Sequence, residues 1–165
     1  LFVSGLFLAT HQNKIDKKGR ISVPAPFRAL LNKGEFQGMV AFPSLTQPAI
    51  EGFPMNRMER LSQQIDQLEP FSHDYNDLSA SIFADAHPLT FDSEGRIMLP
   101  TSLKEHGQFN QDVIFVGRGA AFQIWNPILF RKHQETARAR LKEAPPKLGP
   151  LPQSEKMQKP EGTRG

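Results

Sequence analysis

One stretch of this chain occurs twice. Residues 7–27 read FLATHQNKIDKKGRISVPAPF and residues 83–103 read FADAHPLTFDSEGRIMLPTSL, aligned without a gap. Phe7 falls on Phe83, His11 on His87, Asp16 on Asp92, Gly19 on Gly95, Arg20 on Arg96, Ile21 on Ile97 and Pro24 on Pro100. Three further pairs are chemically alike: Ile15 with Phe91, Val23 with Leu99 and Phe27 with Leu103. Two copies are too few for a stacked solenoid, so the duplication predicts two pseudo-symmetric halves of one fold. A length of 165 residues agrees with one domain or two very small ones.

The segments after each copy also correspond. Pro26, Phe27, Leu30 and Leu31 predict a short helix stopped by Gly34 in a left-handed conformation. Thr101 or Ser102 as N-cap, then Leu103 and Gly107, predict its counterpart. Strands follow at Met39–Phe42 and 48–51 in the first half, and at 113–116 and 122–125 in the second. Each half then enters a longer helix. The first carries Met55, Met58, Leu61, Ile65 and Leu68 as an apolar stripe, ends at Pro70, and is followed by another helix bearing Tyr75, Leu78 and Ile82. The second is capped by Asn126-Pro127 and aligns Phe130, Ala137 and Leu141 on one face. Four strands per half cannot close alone, so the expectation is an α+β, β-rich fold whose halves complete one barrel with flanking helices.

Composition narrows the chemistry. Hydrophobic residues make up 38% and include 13 Phe, enough for a packed core. With no Cys, disulfides and thiolate chemistry are excluded. The longest apolar runs are about four residues against the roughly 20 of a membrane-spanning helix, and the first residues lack the basic start of a signal peptide. The lack of Cys is compatible with a reducing cytoplasm, and a cytoplasmic location is the expectation. Net charge is +3. Two of those charges belong to 145–165, where Lys147, Lys156, Lys159 and Arg164 face Glu155 and Glu161 in a proline-rich stretch that reads as a disordered tail.

The strand-to-strand loop Asp16-Lys17-Lys18-Gly19-Arg20 holds the functional chemistry. An Asp can accept backbone N–H groups two residues on and pin a turn. Gly19 supplies positive φ. Arg20 offers a planar fork for phosphate or for the O6/N7 edge of guanine. Asp and Arg four apart could equally brace the turn as an ion pair. Lys14, Lys17 and Lys18 exceed what a brace needs. The second loop, Asp92-Ser93-Glu94-Gly95-Arg96, keeps the three structural residues but sums to −1 where the first sums to +2. Lys14, Lys17, Lys18 and Arg20 are thus the candidate contacts to phosphate or a base edge, and Asp16, Gly19, Asp92, Gly95 and Arg96 the residues that shape the loops.

These two motifs, with 82–86, 116–118 and Phe122-Gln123-Ile124-Trp125, closely resemble the bacterial MraZ family over residues 7–143. The resemblance implies two fused AbrB-like swapped-hairpin units assembled into a homo-oligomeric ring. It also implies regulation of the cell-division and cell-wall gene cluster, with the first loop touching promoter DNA at the nucleoid. In those terms 6–52 is the first AbrB-like repeat, with its DNA-facing loop at 14–20, and 53–81 is a helical connector. The second repeat is 82–126 and the last helix 127–144. Ser93 and Glu94 depart from a basic second loop.

Other constellations lead elsewhere. His11 and His87 recur at equivalent positions but lack a third ligand at metal spacing, so they read as strand residues and no metal or cofactor is expected. Gly117-Arg118-Gly119 lacks the Lys-Ser/Thr of a phosphate loop and reads as a turn. Arg131, Lys132, Arg138, Arg140 and Lys142 make the last helix basic. A protein-interaction module of antitoxin type is the alternative function, and an enzyme built on Asp16, Asp92 and the two histidines a further rival.

Overall fold

The computed structural model describes residues 5–152. The elements of the first half are β1 (Thr10–Lys14), β2 (Arg20–Ser22), α1 (Ala25–Leu31), β3 (Gly38–Pro43), β4 (Ala49–Phe53) and α2 (Met55–Ile65). Helix α3 (His73–Leu78) and a π-helical turn, Ser79–Phe83, lead into the second half. There β5 (His87–Thr90), β6 (Arg96–Met98), α4 (Thr101–His106), β7 (Asp112–Gly117), β8 (Phe122–Trp125) and α5 (Pro127–Glu143) repeat the order. Residues 145–152 are exposed and carry no regular structure, and the rest of the predicted tail lies outside the described residues.

The sheet interleaves the halves. Six strands run β1-β7-β8-β4-β3-β5, an order that reads the same when the halves are exchanged. The first strand of each half pairs with the third strand of the other: β1 with β7, through His11 opposite Phe115, and β5 with β3, through Leu89 opposite Met39. The short strands β2 and β6 pair separately as an antiparallel ribbon centred on Ile21 opposite Ile97. The expected closed barrel is corrected on this point. Among the described residues the six-stranded sheet is open, with β1 and β5 at its edges. The tight loops turn β2 and β6 out of the sheet, and a single bridge from Ile15 to Ile21 links β1 to the ribbon.

Alternation along the strands builds three layers. One face packs Met39, Ala41, Ile50, Val113, Phe115, Phe122 and Ile124 beneath Ile21 and Ile97 of the ribbon and Phe27 and Leu103 of α1 and α4. Phe7, Phe27 and Phe122 meet there with ring centroids 5.0–5.2 Å apart. Each such buried side chain contributes roughly 1.5–3 kcal/mol from its removal from water. The opposite face divides in two. Val40 and Phe42 lie under Met58, Ile65 and Ile82 of the connector. Ala49, Val116 and Trp125 lie under Phe130 of α5. Between these patches Gln123, 3% exposed, receives Trp125 Nε1 at 2.8 Å and Arg118 Nη1 at 2.7 Å on Oε1, and its Nε2 donates to Glu51 at 2.6 Å.

Several local expectations change. Gly34 is not the left-handed stop: α1 ends at Leu31, with Asn32 as C-cap at φ −84°. Neither Thr101 nor Ser102 caps α4; Pro100 occupies the N-cap with no side-chain bond, as Pro24 does for α1. Asn126 does cap α5, accepting from the Ile128 N–H at 2.9 Å. On α5 the predicted stripe is only partly covered, since Phe130 is buried and Leu141 is 51% exposed. Phe7 and Phe83 match in sequence but not in place. Phe7 is 2% exposed in the main core, whereas Phe83 packs among the connector helices.

Candidate nucleic-acid interface

The two loops fold alike. Asp16 Oδ1 accepts the Lys18 and Arg20 backbone N–H groups, each at 2.9 Å, and Oδ2 receives Arg20 Nε at 2.7 Å. Asp92 repeats this with the Glu94 and Arg96 N–H groups and Arg96 Nε, all at 2.9 Å. Gly19 and Gly95 stand at φ +83° and +75°, where a side chain would strain the backbone. Both carboxyls are held below the ordinary aspartate value, chiefly by the Arg backbone N–H, with the Arg side chain and the second N–H adding to it against partial desolvation. The ion-pair brace is therefore present in both copies.

The difference lies at the ends of the guanidinium groups. Arg20 spends Nε on its aspartate, and no other hydrogen bond or ion pair engages its fork among the described residues. Arg96 is held twice, by Asp92 through Nε and by Glu94 Oε2 at 3.4 Å from Nη1. Lys17 and Lys18 are exposed on the first loop; Lys14 is exposed at the end of β1, opposite Asp112, so it flanks the loop.

The ribbon brings the loops into one surface. Arg20 pairs with Met98 and Ser22 with Arg96, while Ile21 and Ile97 point into the core. Arg20, Ser22, Arg96 and Met98 consequently share the outer face, with the two arginines diagonal neighbours at a Cα spacing of roughly 7–8 Å. Each loop also grips the other half: the Gly19 carbonyl accepts from Leu99 N at 2.9 Å, and the Gly95 carbonyl from Val23 N at 3.2 Å. The loops lie at opposite ends of this short ribbon.

Sequence reading missed Arg28. From α1 it reaches the second loop, with Nη1 3.5 Å from the Glu94 carbonyl and its side chain against Gly95. The available signal was the repeat itself, because Arg28 falls on Lys104, a cation on each short helix. His11 and His87 are not brought together. They sit on β1 and β5, the opposite edges of the sheet, and His11 packs its ring 5.2 Å from Phe27. The pocket required by the histidine–aspartate enzyme reading is not assembled.

Fold and site define a class: proteins of two interleaved α+β repeats that present a pair of Asp-braced arginine loops on one ribbon. Comparison with known families names it. The model of the MraZ protein family, whose description suggests an antitoxin-like character, matches residues 6–79 and again 82–147. A protein of Gluconobacter oxydans named transcriptional regulator MraZ is 44% identical over 138 residues, 82% of this chain and 84% of its own length. Proteins of the same name from Pelagibacter ubique and Rickettsia canadensis are 44% and 42% identical, covering 81% and 80% of this chain and 86% and 89% of their own lengths. The chain belongs to the MraZ family. Among the described residues no helix is long and apolar enough to cross a membrane.

Proposed function

We propose that this chain is a sequence-specific, DNA-binding transcriptional regulator that reads duplex DNA through Lys14, Lys17, Lys18 and Arg20. The observation that carries the reading is the half-buried Arg20, fixed by Asp16 through Nε alone, on a loop that also bears the exposed Lys17 and Lys18 and is flanked by the exposed Lys14. A fork held in this way loses little freedom on binding phosphate or a guanine edge. Asp16, Gly19, Asp92, Gly95 and Arg96 set the loop shapes, and Glu94 turns phosphate away from the second loop. The names of the relatives support a regulatory role.

One loop makes a weak, salt-sensitive contact. Linking several in a homo-oligomeric ring would raise affinity by roughly 10²–10⁴ and favours repeated short sites. The family resemblance directs this to the promoter of the cell-division and cell-wall cluster, in the cytoplasm at the nucleoid. The strand exchange between halves is what fused swapped hairpins of AbrB type would produce, with 6–52 and 82–126 as the repeats. The test is a binding isotherm against the chain's own upstream DNA at two salt concentrations. Specific binding weakened by Arg20→Ala supports the reading, and undiminished binding by that variant overturns it. The antitoxin-like suggestion in the family description favours a second reading, a protein-interaction module, which predicts co-purification of one tight unrelated chain and no specific shift.

A further inference from the structure

The apolar stripe of α5 outruns the sheet that it packs on. Phe130 is buried, and His133 stacks on Trp125 at 4.7 Å. Ala137 and Leu141 continue the same stripe at helical spacing, with Leu141 51% exposed. Along the helix Arg131 and Lys132, and around this end Arg138, Arg140 and Lys142, are all exposed and outnumber Glu135 and Glu143. The ion pairs among the described residues all lie in the two loops, so these cations have none.

The other half of the same sheet face shows the opposite charge. Residues 61–95 contain no Lys or Arg. Within them Asp66, Glu69, Asp74, Asp77 and Asp85 are exposed on and around α2, α3 and the π-helical turn. In their midst Phe71 is 93% exposed, on a backbone at φ +67° that β-carbon-bearing residues rarely adopt. A strained backbone holding a large apolar side chain in water is a candidate anchor for a partner surface.

We infer that the basic, projecting half of α5 docks on the acidic connector of a second copy of this chain, with Leu141 and Ala137 against the Phe71 region. This rests on the homo-oligomer reading and names its contact. The two surfaces differ, so the contact is heterologous and passes from copy to copy until it closes. Duplex DNA is the rival occupant of α5. It fits less well, because the ribbon with Arg20 covers one face of the sheet and α5 packs on the other, and because DNA would leave the acidic connector and Phe71 unexplained.

The test uses two full-length charge-reversed variants. One carries Arg138→Glu, Arg140→Glu and Lys142→Glu; the other carries Asp66→Lys, Glu69→Lys and Asp77→Lys. All six positions are exposed, so folding is retained, which a thermal melt verifies. Sedimentation velocity should show each variant alone dissociating at concentrations roughly a hundredfold above the wild type. An equimolar mixture should reassemble, since each reversed surface then meets its complement on the other chain. Phe71→Ser should weaken assembly about tenfold or more without changing the melt. A mixture that stays dissociated, or variants that keep the wild-type mass, would overturn the inference. So would an α5 variant of wild-type mass with weakened DNA binding, which would assign α5 to DNA. A monomeric wild type removes both this contact and the ring, yet leaves the Arg20 isotherm to judge DNA binding separately.

Discussion

Asp16 and Arg20 hold each other through one nitrogen of the guanidinium: Nε lies 2.7 Å from Oδ2, and among the described residues the two terminal nitrogens make no hydrogen bond or ion pair. At the equivalent place Arg96 has a second acid, Glu94, 3.4 Å from Nη1. The loops share a brace and differ in what the brace leaves free.

Arg20→Ala should lower specific DNA affinity by ~1–3 kcal/mol for each guanine contacted. If the fork touches phosphate alone, the loss is uniform across sequences and the salt slope falls. Lys17→Ala and Lys18→Ala should follow the phosphate pattern, and Arg96→Ala should act on assembly or stability. Isotherms at two salt concentrations with assembly mass measured in parallel separate these results. Equal loss from Arg20→Ala and Arg96→Ala at unchanged mass would give the second loop a reading role.

Glu94→Gln should free Nη1 of Arg96 and remove one repulsive charge from the ribbon face. Non-specific DNA affinity should rise and the salt dependence steepen, by about one counterion or less. A titration of random-sequence duplex checks this. Unchanged affinity would mean that DNA does not approach the second loop.

Both loop aspartates have folded-state pKa values below the unfolded 3.8. Between the folded value and 3.8 the unfolded chain binds more protons, so stability falls as pH drops through that window and is fully present above it. The loops should therefore keep their order at pH 3.8 and lose it only as pH falls further, through the lowered folded-state values. The amide resonances of Lys18 and Arg20 would report the change directly, and in Asp16→Asn that acid transition should vanish from the first loop alone.

Gly19→Ala and Gly95→Ala each place a β-carbon at positive φ, at about 1–2 kcal/mol. The first meets only ordinary contacts, 3.6 Å from the Leu99 carbonyl oxygen and 3.7 Å from Met98 Sδ. The second collides with the Arg28 side chain, which must swing away. Gly95→Ala should cost more in chemical denaturation, and the excess should disappear in an Arg28→Ala background. A persistent excess would place the strain in the backbone instead.

Ile21 and Ile97 form the buried centre of the ribbon at 0% and 1% exposure. Ile21→Ala and Ile97→Ala should each destabilise by ~2–5 kcal/mol, and the double variant should depart from additivity because the side chains face one another. Both single variants should also weaken DNA binding by loosening the two loops together. Denaturation and binding measured on the same preparations test the link.

By itself the sequence determined whatever repeats within a few residues. The duplication predicted two equivalent halves, and the Asp-x-x-Gly-Arg spacing predicted a pinned turn, because an aspartate reaches N–H groups two and four residues on whatever surrounds it. Strand and helix order followed from apolar periodicity, which is also local. What the tertiary structure alone decided is partnership. That β1 pairs with β7 and β5 with β3 depends on register between segments about a hundred residues and about fifty residues apart. Likewise no local signal told that the halves leave an open sheet with a separate ribbon, or that Arg28 reaches the second loop. Nor could a helical stripe reveal where its support ends: Phe130 and Leu141 look alike in sequence, and only the edge of the sheet makes one core and the other surface. Backbone hydrogen bonds and local caps act over a few residues, whereas burial is a property of what the rest of the chain brings alongside.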